Sequence, residues 1–382
     1  MLGYCYSQAL ELASDQLPSN IGRSSMVHHL IAAYGLLSHK NIVVLKTLPA
    51  NKAELTAYHD AAFVDILLSS EQFLQLSDEI LLQYGLVEDC PIFPALSNYV
   101  CEVAGASLRA AKALSSDTST FQIVINWDGG RHHAKRGAAS GFCYIADAVL
   151  AIQQLRKKFE RVIYIDLDIH HGDGVESAFV HSDKVFTLSL HRFDSGFFPQ
   201  TGSEDEQGKG KGFGYAMNLP LQEGLSDSAL LTIVTEIVKP LLKCYHAAGY
   251  NTAVVIQCGV DSLALDPTRE WNLSIDGYCK AIASIQASIH AFNFVALYLG
   301  GGGYDKALAS RCYTAITATL LGHHLSEQIP EHSLWHEYTS TNHDLSVHNS
   351  IRGLKDANEA VLPSLIARSH TRLASLTFSP KS

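Results

Sequence analysis

Short runs that are apolar at every position alternate along this chain with longer stretches in which apolar residues recur every three or four positions. Runs of the first kind predict strands at Gly3–Tyr6, Phe121–Trp127, Arg161–Leu167, Val185–Leu190, Thr252–Cys258 and Phe294–Leu299. Continuous rather than alternating hydrophobicity is the mark of a strand covered on both faces. The longer stretches predict helices, among them Met26–Ser38, Asn98–Leu114, Tyr144–Phe159, Asp227–Ala248 and Ile275–Ala291. Strands alternating with helices make βαβ units, and hence an α/β fold with a mainly parallel central sheet and helices on both faces. No internal repeat or Pro/Gly/Ser linker breaks the order, and the Gly- and Lys-rich loop Thr201–Gly214 lies inside it. Residues 1–382 are therefore expected to form one domain.

The polar residues of interest cluster just after predicted strands. Asp128-Gly-Gly-Arg-His-His133 follows the strand ending at Trp127, and Asp168-Ile-His-His-Gly-Asp173 follows Leu167. His191 and Gly196-Phe-Phe198 follow Leu190, Gly259-Val-Asp261 follows Cys258, and Gly300-Gly-Gly-Gly-Tyr304 follows Leu299. In an open parallel sheet all five segments reach the carboxyl edge, where such folds place their ligands.

Composition narrows the classes. The 382 residues are 47% hydrophobic and 17% charged, enough apolar matter for a large core. A formal charge of −10 argues against direct nucleic-acid binding. The basic cluster Arg156-Lys157-Lys158 reads as a solvated helix end. Residues Met1–Ser7 lack the charged start and apolar core of a signal peptide, and no apolar run approaches a membrane span. Eight scattered cysteines without a Cys-x-x-Cys pair point to a reducing compartment, cytoplasm or nucleus. Cys90 and Cys143 each adjoin a site residue and are read as ordinary buried thiols, with a redox-sensitive pair as the alternative.

Asp168, His170 and Asp261 offer two carboxylates and an imidazole with a fourth position open, the catalytic rather than the structural pattern for zinc. Such a metal lowers the pKa of water and polarises a carbonyl. His132 and His133 can serve as base and acid near neutral pH, and Asp166 and Asp173 can each hold one imidazole through Nδ1–H. The other His pairs, His28-His29 and His323-His324, read as packing residues. Tyr304, released by four glycines, can donate to a developing oxyanion. Gly300–Gly303 matches neither phosphate-binding glycine motif. Phe142 and Phe198 are candidates for the walls of an apolar channel. The sum is metal-assisted hydrolysis of an amide that enters an aromatic slot.

Asn126-Trp-Asp-Gly-Gly-Arg-His-His-Ala-Lys135, Ser140-Gly-Phe-Cys-Tyr144, Asp166-Leu-Asp-Ile-His-His-Gly-Asp-Gly-Val175 and Leu299-Gly-Gly-Gly-Gly-Tyr304 resemble the class I zinc-dependent histone deacetylases, nearest to the short members of that family. Arg23-Ser-Ser-Met-Val-His28 and Tyr84, Asp89-Cys-Pro91 extend the likeness, which runs over about residues 1–323. The resemblance implies an arginase/deacetylase-like fold and hydrolysis of Nε-acetyl-lysine to lysine and acetate. Asp168, His170 and Asp261 would hold zinc, with iron(II) as the alternative metal. His133 would be the general base, His132 its partner and Tyr304 the oxyanion donor. Phe142 and Phe198 would sandwich the lysine methylenes, and Gly141 would accept the substrate amide. Asp89 would hold the peptide backbone, and Thr268 and Gly302 would line the channel. Arg23 would sit at an inner cavity. Two potassium or sodium ions are implied as well. Asp166, Asp168, His170, Ser189 and Leu190 would hold the inner one, and Phe179, Ser182, Val185 and Tyr215 the outer. Acetylated proteins, such as histone tails or cohesin-type nuclear proteins, would be the partners.

Arg131 stands where that family carries an aromatic, apolar or proline residue, and Thr268 where the rim carries Leu or Met. Both are expected to make the entrance more polar. An arginase- or acetylpolyamine-amidase-like hydrolase is a rival on the same architecture, although a two-metal site would want Asp-x-Asp where Asp261-Ser-Leu stands. A silent acetyl-lysine-binding scaffold is the other rival.

Overall fold

The computed structural model describes residues 1–69, 76–347, 351, 353–376 and 378, which include every site residue named above. Eight strands form one sheet: β1 (Leu2–Tyr6), β2 (Ile42–Lys46), β3 (Ile123–Asn126), β4 (Arg161–Asp166), β5 (Val185–Arg192), β6 (Ala216–Leu221), β7 (Thr252–Gln257) and β8 (Val295–Leu299). Their spatial order is β2-β1-β3-β8-β7-β4-β5-β6, and every neighbouring pair is parallel. Successive side chains on a strand point to opposite faces. Ile163 and Ile165 accordingly join one apolar cluster while Val162 and Tyr164 join the other. Helices Arg23–Ala33, Ile275–Ala291 and Lys306–Leu321 cover the first face; Gln8–Ser14, Leu96–Ser115 and Asp147–Leu155 cover the second. This is the α/β arrangement expected from the pattern. Among the described residues no helix is long and apolar enough to cross a membrane.

The six expected strands are present within a residue or two of their expected ends. Two strands were not expected, β2 and β6, and both are edges of the sheet. An edge strand is half solvated and tolerates proline, so only Ile42 and Leu45 of Ile42–Lys46 are buried and β6 carries Pro220. The expected helix Asp227–Ala248 is broken into Asp227–Ile233, a π turn at Val234–Val238, and Lys239–Ala247. Pro240 has no N–H to give the turn before it, and a wider turn accommodates that loss. Ile275–Ala291 begins where expected because the Ser274 side chain caps the Gly277 amide.

The expected helix Tyr144–Phe159 is shorter, Asp147–Leu155, because its first residues are used otherwise. The Tyr144 hydroxyl donates to the Pro91 carbonyl, and the Ala146 amide donates to His59 Nε2 at 3.0 Å. His59 Nδ1 lies 3.1 Å from the Arg136 carbonyl, which makes it the donor of a neutral imidazole. Burial pushes His59 down to about 4, only partly offset by the Arg136 and Lys135 backbone. Its folded pKa lies below the exposed value of 6.5, so the unfolded chain binds the proton more tightly. The stabilisation is therefore full above pH 6.5 and declines as pH falls toward 4. His59→Gln keeps an acceptor without the titration. The loss of unfolding free energy between pH 7 and pH 5 should shrink by about 2 kcal/mol in that variant. Identical pH dependence in urea melts of both proteins would refute the assignment.

Candidate active site and metal centre

Four adjacent central strands, β3, β8, β7 and β4, deliver their carboxyl ends to one place. Asp168, His170 and Asp261 come together there, with one ligand atom from each lying within 4.8 Å of the others. His170 Nδ1 is 3.1 Å from both Asp168 Oδ1 and Asp261 Oδ2. The carboxylates are aimed by the backbone: the Gly302 amide and Gln257 Nε2 hold Asp168 Oδ2 at 2.8 and 2.9 Å, and the Ile169 amide holds Asp261 Oδ1 at 3.1 Å. Phe197 stacks on the His170 ring, with centroids 5.3 Å apart.

This donor set fits a divalent cation. A Cβ on Gly259 would come within 2.0 Å of Asp168 Oδ2, and one on Gly302 within 2.1 Å of Asp261 Oδ2, so only glycine lets the loops close around the acids. Burial disfavours charge on both acids. His132 and His170 nevertheless hold Asp168 well below the usual carboxylate range, whereas burial and the Asp168 charge push Asp261 up. A cation between them would relieve that repulsion.

Asp166, two residues before Asp168, turns away from the triad. It ends β4, accepts from Tyr164 at 2.7 Å and lies 2.8 Å from His132 Nδ1. His133 Nδ1 pairs in the same way with Asp173 at 2.8 Å, and Lys135 reaches the other Asp173 oxygen. The two rings lie 3.9 Å apart, centroid to centroid. Burial opposes the charge on both, but Asp166 and Asp168 overcome it and raise His132 to about 9. Burial and the neighbouring His132 depress His133 to about 3.

Tyr304 is fixed at both ends. Its amide donates to Asp266 Oδ2 at 2.7 Å, and the next residue, Asp305, caps helix Lys306–Leu321 by accepting from the Leu308 amide. Burial, then Asp261 and Asp168, raise its phenol well above the ordinary range, so it keeps its proton. Arg23 Nη1 donates to the carbonyls of Gly301, Gly302 and Gly303 at 2.9, 3.2 and 3.0 Å and so shapes the loop before Tyr304.

The family model of the histone deacetylase domain matches residues 17–320. The chain belongs to the histone deacetylase family. It is 41% identical to histone deacetylase 8 of Xenopus tropicalis over 336 residues, which is 88% of each chain. It is 39% identical to histone deacetylase 8 of Danio rerio, covering 94% of this chain and 90% of that one. Histone deacetylase 9 of Arabidopsis thaliana is 41% identical over 82% of this chain and 71% of its own.

Asp89, Gly141, Phe142 and Phe198 of this deacetylase lie beside one another and beside His133 and Tyr304. Asp89 Oδ2 accepts from the Gly141 amide at 2.9 Å. Gly141 has φ +53°, and a Cβ there would meet His133 at 2.5 Å and Phe198 at 2.8 Å. The Phe198 edge faces His133 at 4.9 Å and the Phe142 edge faces Tyr304 at 5.7 Å, so the two aromatics flank the approach to the histidines. Ser189 pairs with Asp166 in the β4–β5 register beside Leu190, while Phe179, Ser182, Val185 and Tyr215 gather around the start of β5 and β6.

Two expectations about the entrance need correction. Arg131 is buried, 4% exposed: its backbone N–H donates to Asp147 Oδ1 at 2.8 Å, and its guanidinium donates to the Asp128 carbonyl. Thr268 turns its hydroxyl to the Asp261 carbonyl at 2.6 Å, so that hydroxyl is committed to the backbone rather than to an opening. Sequence reasoning also missed four positioning groups: Gln257, Asp147, Tyr164 and Asp266. Gln257 alone had a signal, as a polar residue ending an otherwise apolar strand. Cys90 and Cys143 are both buried, with burial raising each thiol.

Proposed function

We propose that this deacetylase hydrolyses Nε-acetyl-lysine in proteins to lysine and acetate, using zinc held by Asp168, His170 and Asp261. One observation carries the reading: the metal-capable triad, two His–Asp dyads and a protonated phenol converge at the end of a slot flanked by Phe142 and Phe198. The metal, when bound, would polarise the acetyl carbonyl and acidify water. His133, kept neutral, accepts the water proton and later passes it to the departing lysine amine, while Asp173 fixes its tautomer. His132, charged and tied to Asp166, adds a positive charge beside the developing negative one. Tyr304 donates its O–H to the oxyanion. The neutral N and anionic O donors suit zinc and also iron(II).

Asp166, Asp168, His170, Ser189 and Leu190 are proposed for an inner potassium or sodium ion, and Phe179, Ser182, Val185 and Tyr215 for an outer one. Substrates are proposed among acetylated nuclear proteins, including histone tails and cohesin-type proteins, in nucleus or cytoplasm, in keeping with the histone deacetylase names of its relatives. Regulation of transcription follows from that choice of substrate.

Turnover of acetyl-lysine peptides by protein with about one zinc per chain tests the core reading; metal-loaded protein without turnover would defeat it. Asp89 tests the rim. One of its oxygens is engaged by Gly141, leaving the other for a peptide N–H. Asp89→Ala should raise KM for peptides about tenfold or more, the cost of losing a charge-assisted hydrogen bond, and change small acetylated amines little. Equal losses for both classes would show that Asp89 does not hold the backbone.

A further inference from the structure

Asp266 is a buried carboxylate in a turn whose neighbours face water. Leu265 and Pro267 are exposed, whereas Asp266 is 1% exposed. Its oxygens go to backbone amides. Oδ1 accepts from the Thr268 amide at 3.0 Å, and Oδ2 accepts from the Tyr304 amide at 2.7 Å. The first contact is the local turn that an aspartate makes two residues ahead, and it needs one oxygen only. A carboxylate serving the turn alone would leave its second oxygen to water. Here the residue is buried, and its second oxygen is taken by a residue 38 positions away.

The same turn is tied to the metal triad. The Thr268 hydroxyl donates to the Asp261 carbonyl at 2.6 Å, and the Arg269 amide closes the turn on the Asp266 carbonyl at 3.0 Å. Three hydrogen bonds therefore run in series from the backbone of Asp261, through Thr268 and Asp266, to the backbone of Tyr304. The other supports of the Tyr304 loop hold its flanks. Arg23 takes the carbonyls of Gly301, Gly302 and Gly303, and Asp305 caps the helix that follows. Among the described residues, the bond to Asp266 is the one made by the Tyr304 main chain itself.

We propose that Asp266 is a positioning residue that sets the reach of the Tyr304 phenol relative to the metal ligand Asp261. The inference rests on the deacetylase reading, in which the phenol and the metal act on one carbonyl oxygen. Those two groups sit on different loops, after β8 and after β7, so their separation is a tertiary distance that a cross-link must fix. A reacting group misplaced by ~1 Å costs about 10²-fold in rate. Asp266→Asn replaces one acceptor oxygen with an NH2 donor, so the amide of Thr268 or of Tyr304 loses its partner. The phenol keeps its chemistry and loses its fixed place.

A double-mutant cycle with Tyr304→Phe on an acetyl-lysine peptide tests this, with zinc measured on every sample of the full-length protein. Asp266→Asn alone should lower kcat about 10–100-fold with KM and zinc content unchanged. In the Tyr304→Phe background the same change should lower kcat by less than about threefold, because the group it positions is already gone. A full, additive loss in that background overturns the proposal, as does wild-type kcat in Asp266→Asn alone. Thr268→Val keeps the shape and the amide bond to Asp266 but cuts the link to Asp261. It should lower kcat about three- to tenfold, and only while the phenol is present. Wild-type kcat in Thr268→Val, or an equal loss in the Tyr304→Phe background, overturns the proposal even if Asp266→Asn fails to fold. Hydrogen exchange gives a readout free of turnover: the Tyr304 amide should be protected in the wild type and exchange at least about tenfold faster in Asp266→Asn. Equal exchange in both overturns the proposal. That difference in exchange, found in a protein that hydrolyses no acetyl-lysine, would leave the link standing and remove the deacetylase reading.

Discussion

Tyr304→Phe is expected to lower kcat by about 10²–10³-fold while KM and metal content stay close to those of the wild type. The substitution removes one oxygen and leaves the supports of the residue in place. The amide at position 304 still donates to Asp266, Asp305 still caps the following helix, and Arg23 still holds Gly301–Gly303. Only the interaction that strengthens as the carbonyl oxygen gains charge is lost, so the effect falls on kcat. The phenol is a competent donor across the neutral range because burial, Asp261 and Asp168 all resist its ionisation. Steady-state rates on an acetyl-lysine peptide, with zinc measured on the same samples, check the result. Wild-type turnover by Tyr304→Phe would remove the phenol from the mechanism.

The second large effect is expected from His170→Ala. His170 Nδ1 sits 3.1 Å from an oxygen of each acid, so its loss leaves Asp168 and Asp261 facing one another with no neutral donor between them. Bound zinc should drop from about one per chain to a small fraction after dialysis. Activity should fall by more than about a hundredfold, since even groups that merely orient a ligand cost 10–100-fold when removed. Melting provides a check that does not depend on turnover. A metal that binds only the folded state raises the midpoint, so zinc against chelator should separate the wild-type curves and leave those of His170→Ala superimposed. Retention of stoichiometric zinc by the variant would show that the ion sits elsewhere.

Much of this arrangement was legible before any coordinates. Uniformly apolar strands announced a sheet buried on both sides, and the strands found in the interior of the sheet were the ones expected. The strands missed, β2 and β6, lie at the edges, where half-solvation weakens the apolar signal and Pro220 contradicts it. The His132–Asp166 and His133–Asp173 pairs were anticipated because spare acids flanked the ligand motif. Asp166 shows the limit of periodicity: it shares a spacing of two with Asp168 and His170, but β4 ends at Asp166, and the chain beyond no longer alternates.

The sequence by itself determined the kinds of groups present, the strand ends that carry them and the family to which the chain belongs. Side-chain chemistry and strand-ending motifs are local properties, and local properties are written along the chain. Only the tertiary structure decided that β3, β8, β7 and β4 stand side by side, because strand order is set by crossovers that no spacing records. It also decided which way neighbouring side chains turn. Arg131 and His132 are adjacent in sequence, yet Asp147, 16 residues on, holds the Arg131 backbone while its guanidinium turns to the Asp128 carbonyl and His132 turns to Asp166.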